Sequence, residues 1–145
     1  MVDSISLYIT SYCSYNSLKS NTTGIYNTAI GVNALCINTT GCSNIAIGQG
    51  ALQNTSTGSQ LTAIGYQAGY SNTTGTTNVS VGYRAGFSNT SGSIDSFGGN
   101  AGYSNTTGAQ NVALGSFALY TNAVGNGKDR KSTRLNSSHV KRSRM

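Results

Sequence analysis

The chain has 145 residues, the length of one ordinary domain, yet only 8% are charged and none is Pro, where about a quarter of a typical globular chain is charged. No run approaches the roughly 20 apolar residues of a membrane helix, and the start lacks the basic segment and apolar run of a signal peptide, so membrane insertion is not expected. The formal charge of +6 points to nucleic acid only until it is located: seven basic residues and Asp129 lie from Lys128 onward, while Lys19 and Arg84 balance Asp3 and Asp95 in the rest, so no nucleic-acid partner is expected.

Residues 1–9 form a short lead-in. From residue 10 the chain repeats. TSYCSYNSLKSNTTGIY is a degenerate first copy, followed by NTAIGVNALCINTTGCS, NIAIGQGALQNTSTGSQ, LTAIGYQAGYSNTTGTT, NVSVGYRAGFSNTSGS, IDSFGGNAGYSNTTGAQ and NVALGSFALYTNAVGNG. The turn glycines Gly24, Gly41, Gly58, Gly75, Gly92, Gly108 and Gly125 are spaced 17, 17, 17, 17, 16 and 17 apart, with one residue deleted just after Gly92. Seven rungs therefore occupy residues 10–127. Residues 128–145 break the pattern. The run DRKSTRLNSSH resembles an in-frame translation of a common short-read sequencing adapter, so 128–145 are expected to be a non-native basic tail.

Each column of the repeat has a physical reading. The fourth position holds Cys13, Ile30, Ile47, Ile64, Val81, Phe97 and Leu114, always apolar, and is expected to form the core. The third is small in most rungs (Ala29, Ala46, Ala63, Ser80, Ser96, Ala113); strand side chains alternate, which places it on the opposite face, against another layer or chain. The small eighth position (Ser17, Ala34, Ala51, Ala68, Ala85, Ala101, Ala118) is read as a second inward strand. Gly31, Gly48, Gly65, Gly82, Gly98 and Gly115 follow the fourth position, and the NTTG block closes the turn, where Asn and Thr can bond the local backbone. A 17-residue unit is the size of one solenoid coil. The expected fold is an all-β parallel β-solenoid, or β-roll, about 34 Å long at the usual strand spacing. One large apolar side chain per rung is a thin core, so burial against sister chains in a symmetric homo-oligomer is expected to complete it.

The pattern N-x-A-I-G-x-x-A, seen at Ala46, Ile47, Gly48 and Ala51 and again at Ala63, Ile64, Gly65 and Ala68, resembles the head repeats of YadA-type trimeric autotransporter adhesins. It is also similar to the Asn- and Thr-rich repeats of phage and large-virus tail fibres. The resemblance covers residues 10–127; the period is longer than the adhesin's, and the NTTG insertion favours the fibre version. It implies a left-handed β-roll that trimerises, on a virion or at a cell surface. The expected function is a structural and receptor-recognition shaft segment of a viral tail fibre, its partners being sister chains and a host-surface glycan or protein receptor. A bacterial adhesin head is the second reading.

Catalysis is not expected. The only His is His139, Glu is absent, and Cys13, Cys36 and Cys42 have neither a base partner nor metal-ligand spacing. No cofactor or metal is expected. The GNGK of Gly125–Lys128 is followed by Asp129 rather than Ser or Thr and is no phosphate loop. Asn21, Asn38, Asn54, Asn72, Asn78, Asn89 and Asn105 match the glycosylation acceptor pattern, but a ladder of Asn and Thr stacked rung over rung is the preferred reading. Tyr66, Tyr70, Tyr83, Phe87, Tyr103 and Tyr120 make an aromatic stripe. It is a candidate ligand-binding surface, with packing at a trimer seam preferred. The regular Thr22, Thr39, Thr73 and Thr106 admit a third function, an ice-binding solenoid.

Overall fold

A computed structural model describes residues 14–127 and the backbone of 129–131. The lead-in, Thr10–Cys13 at the start of the first rung, Lys128 and residues 132–145 lie outside the described residues. The strands are β1 (Thr28–Ile30), β2 (Ile45–Ile47), β3 (Thr62–Ile64), β4 (Val79–Val81), β5 (Ile94–Phe97), β6 (Asn111–Leu114) and β7 (Asp129–Lys131). They form one parallel sheet in chain order. Successive strands pair one repeat apart, as in Ala46↔Ala63 and Ala63↔Ser80. The chain is thus an all-β parallel β-solenoid. The deletion after Gly92 is absorbed at the corner, because β4 and β5 still pair column to column, Ser80↔Ser96 and Val81↔Phe97. The ladder also runs three residues into the segment read as a foreign tail: Asp129 pairs with Val112, and Lys131 with Leu114.

Each rung carries one strand rather than two. Beyond the fifth column the backbone enters the left-handed region at the seventh and ninth columns, as at Gln67 (φ 52°) and Gly69 (φ 58°), which breaks an extended run. Tight turns result, closed by Ala68 N–H to Gly65 O (3.3 Å) and Asn72 N–H to Gly69 O (3.1 Å). Rungs remain bonded through them, for example Leu52 N–H to Ala68 O and Gly69 N–H to Ala85 O. The eighth column is therefore inward, as expected, but sits in a turn: Ala34, Ala51, Ala68, Ala85 and Ala101 are fully buried.

The two faces of the strand are the reverse of the expected ones. Ala46, Ala63 and Ala113 are fully buried and Ser80 and Ser96 nearly so, whereas Ile30, Ile64, Phe97 and Leu114 are exposed and Ile47 and Val81 only half-buried. The assignment of Ile30, Ile47, Ile64, Val81, Phe97 and Leu114 to the core is corrected accordingly: they line the outer face. The cause is the width of the coil. Leu35 and Leu52 of the ninth column pack in one buried cluster with Ala46 and Ala63 of the third, and even a Cβ on Gly69 would come into contact with the Ala63 Cβ at 3.7 Å, so a side chain much larger than a methyl or hydroxymethyl in the third column would run into the ninth. Bulk enters elsewhere, through Leu35, Leu52, Leu61, Ile94 and Leu119. Ile94 is accommodated by Gly102 in its own rung, where a Cβ would meet Ile94 Cδ1 at 2.5 Å.

The rest of the interior is amide. Asn38, Asn72, Asn89 and Asn105 of the twelfth column are buried. Asn38 Nδ2 donates to Asn21 Oδ1 (2.8 Å), Asn105 Nδ2 to Asn89 Oδ1 (3.1 Å) and Asn122 Nδ2 to Asn105 Oδ1 (3.2 Å). The same amides hold the turn carbonyls of their own rungs, as Asn38 holds Gly41 O and Asn105 holds Gly108 O. A second amide column reaches those carbonyls from the start of the rung, Asn27 to Gly41 O (2.7 Å) and Asn44 to Gly58 O (2.9 Å). Its Oδ1 accepts the next rung's backbone N–H, as Asn44 Oδ1 does from Leu61. This is the ladder read from the sequence, and it leaves the Asn38, Asn72, Asn89 and Asn105 amides no access for a glycan. The turn glycines are required by crowding rather than by φ: a Cβ on Gly58 would sit 2.7 Å from Gly75 O.

Candidate functional site

Two surfaces stand out on the solenoid. The first is the outer face of the sheet, built by the second and fourth columns. Ile30, Ile45, Ile64, Phe97, Val112 and Leu114 are each at least 36% exposed, with Ile47, Val79 and Val81 half-buried between them. Asp95 is the one charged side chain described in these columns, and its Oδ1 accepts the Val79 N–H (3.1 Å).

The second is the turn surface that follows the strand, where both aromatic columns fall. Tyr70, Phe87, Tyr103 and Tyr120 stack in one continuous column, neighbouring ring centroids 5.1 Å apart and planes 7°, 4° and 19° from parallel. Tyr66 and Tyr83 form a separate pair at 5.4 Å and 11°. All six candidate aromatics are thus brought to one surface, in two stacks. Inside the longer stack each ring face is covered by the next ring of the same chain, so a ligand meets only edges and hydroxyls there; the rings pack rung on rung.

Arg84, not singled out as a site residue in the sequence, joins the stacks. Its guanidinium carbon lies 5.8 Å from the Tyr66 centroid and 5.3 Å from those of Tyr83 and Phe87, within cation–π range. Its Nε donates to Gln67 Oε1 (2.8 Å). The available signal was its isolation: Arg84 is the only basic residue between Lys19 and Lys128. Phe117, 61% exposed, was likewise missed and tilts against Tyr120 at 5.5 Å.

The Thr column is turned to the backbone. Thr22 Oγ1 donates to Thr39 O, Thr39 to Ser56 O, Thr73 to Thr90 O and Thr106 to Ala123 O, at 2.8–3.2 Å. Their hydroxyl protons are committed to holding rungs together, which weakens the case for an ice-binding array. Among the described residues there is no cluster of three His, Cys, Asp or Glu side chains that could hold a metal, and no helix long and apolar enough to cross a membrane. Cys36 and Cys42 are free and half-buried, Cys42 Sγ lying 3.5 Å from the Ile25 N–H that it accepts; Cys13 and His139 lie outside the described residues. No known family, curated protein or solved structure matches the chain.

Proposed function

We propose that the chain is a shaft segment of a trimeric viral tail fibre, in which three solenoids pack their outer sheet faces around a common axis. The observation that carries this reading is the exposure of the fourth column, apolar in every described rung, beside a second column in which Ile45, Val79 and Val112 alternate with Thr28, Thr62 and Asp95. Folded monomers rarely leave contiguous apolar patches larger than a few hundred Å² uncovered. The fixed register offers an apolar fourth-column side chain at every rung, which suits a closed symmetric assembly of identical chains. The reading assigns the protein no catalytic role; it supplies length, stiffness and a repeating surface. A bacterial adhesin head would use the same seam, and the complete gene separates the two through an export signal and a membrane-anchor barrel. The test is the mass of the protein in solution beside that of the Ile64→Asp and Phe97→Asp variants. Three chain masses for the wild type and one for the variants support the proposal.

A further inference from the structure

From the second rung to the seventh, every rung but one places a large aliphatic side chain inside the coil, and the first and ninth columns share the task. Leu35, Leu52 and Leu119 supply it from the ninth column, with Asn27, Asn44 and Asn111 in the first; Leu61 and Ile94 supply it from the first, with Gly69 and Gly102 in the ninth. The fifth rung, residues 78–93, has Asn78 in the first column and Gly86 in the ninth. Its buried side chains are Asn78, Ser80, Ala85 and Asn89, none of them a large apolar group. The apolar core is divided there. One cluster runs from Ala34 to Ala68 and the other from Ile94 to Leu119, and Ala85 belongs to neither. The same rung carries the one-residue deletion after Gly92, and just beyond it Ser96 Oγ is buried with no hydrogen-bond partner.

What ties this rung to its neighbours is polar or lies on the surface. Asn78 Oδ1 accepts the Ile94 N–H (2.9 Å) and Asp95 Oδ1 the Val79 N–H (3.1 Å), backbone pairing continues from β4 to β5, and Phe87 stacks on Tyr70 and on Tyr103. A hydrogen bond lost on opening is largely replaced by one to water, whereas apolar burial, which opening would forfeit outright, is thin here. We infer that the fifth rung is a fault line built into the rod, which opens there, between two blocks that each keep a core of their own, before the block on the N-terminal side unfolds. Stacked repeats hold together through nearest-neighbour interfaces, and cooperative units part where those interfaces are weakest. The long aromatic stack then serves as a strap across the fault. The inference concerns the interior of one chain and goes beyond the trimeric fibre reading, on which it does not depend.

Amide hydrogen exchange followed by NMR on the full chain tests it, because the fifth column supplies matched reporters. The Gly48, Gly65, Gly82 and Gly98 N–H groups donate the same bond, to the fourth-column carbonyl of the preceding rung, at 2.7–2.8 Å. Exchange is expected to step up by about tenfold or more between Gly65 and Gly82, with Gly98 matching Gly82. Asn78→Leu gives the fifth rung the pattern of the sixth, an aliphatic first column with Ser in the third and Gly in the ninth, and is expected to remove the step. Equal protection at the four glycines, or a smooth decline along the rod without a step, would overturn the fault line. A folded Asn78→Leu protein that keeps the step would overturn its assignment to the missing aliphatic side chain.

Discussion

Ala63 and Ile64 are neighbours in β3, and the chain buries the methyl group of Ala63 completely while leaving Ile64 39% exposed on the outer face. Ala63→Asp is therefore expected to prevent folding, since a carboxylate in that column has no partner and no water, at a cost of several kcal/mol. Ile64→Asp is expected to cost the isolated coil no more than about 1 kcal/mol. Circular dichroism and urea melts of the two variants check this; equal loss of structure would mean that both faces are interior.

Thr55 interrupts the twelfth-column ladder. Asn38 Oδ1 and Thr55 Oγ1 are buried with no hydrogen-bond partner, at the one rung where Thr replaces Asn. A threonine carries no amide to donate to Asn38 and no carbonyl to receive from Asn72. Thr55→Asn is expected to reconnect the column and to stabilise the chain by about 1–3 kcal/mol, read as a higher urea midpoint with an unchanged slope.

Gly65 adopts φ 133°, and a Cβ there would lie 2.5 Å from the Gly82 carbonyl oxygen of the next rung. Gly65→Ala combines a conformation closed to L residues with a clash against backbone that cannot yield. A loss of at least about 3 kcal/mol is expected. A thermal melt within a few degrees of wild type would contradict the account of this corner.

Phe87 is the second ring of the long stack, between Tyr70 and Tyr103, and also carries Arg84. Phe87→Ala is expected to cost roughly 2–4 kcal/mol, from lost burial and two lost stacking contacts. Phe87→Tyr is expected to be close to neutral. If Phe87→Ala were harmless, the stack would be a surface ornament rather than part of the packing.

The repeat, its register and the parallel solenoid were legible in the sequence because every rung places the same residue types in the same columns, and a one-column slip would move Ala63 and Ile64 to each other's faces. Their assignment to inside and outside was not. Apolar character alone marked Ile30, Ile64 and Leu114 as core, and nothing in a single rung states the width of the coil. The deciding clue was the ninth column, where Gly69, Gly86 and Gly102 imply an interior too narrow for two large side chains. The Asn ladder was readable from its period. The Arg84 bridge was not, because it occurs once and a repeat alignment hides single departures.

The central claim is assembly through the outer sheet face, and sedimentation equilibrium across a concentration series tests it most directly. The account predicts three chain masses for the wild type, a melting temperature that rises with protein concentration, and a single chain mass for a folded Ile64→Asp protein. A wild-type chain that is β-rich, folded and monomeric when concentrated would contradict it, leaving a self-sufficient solenoid with an uncovered apolar face.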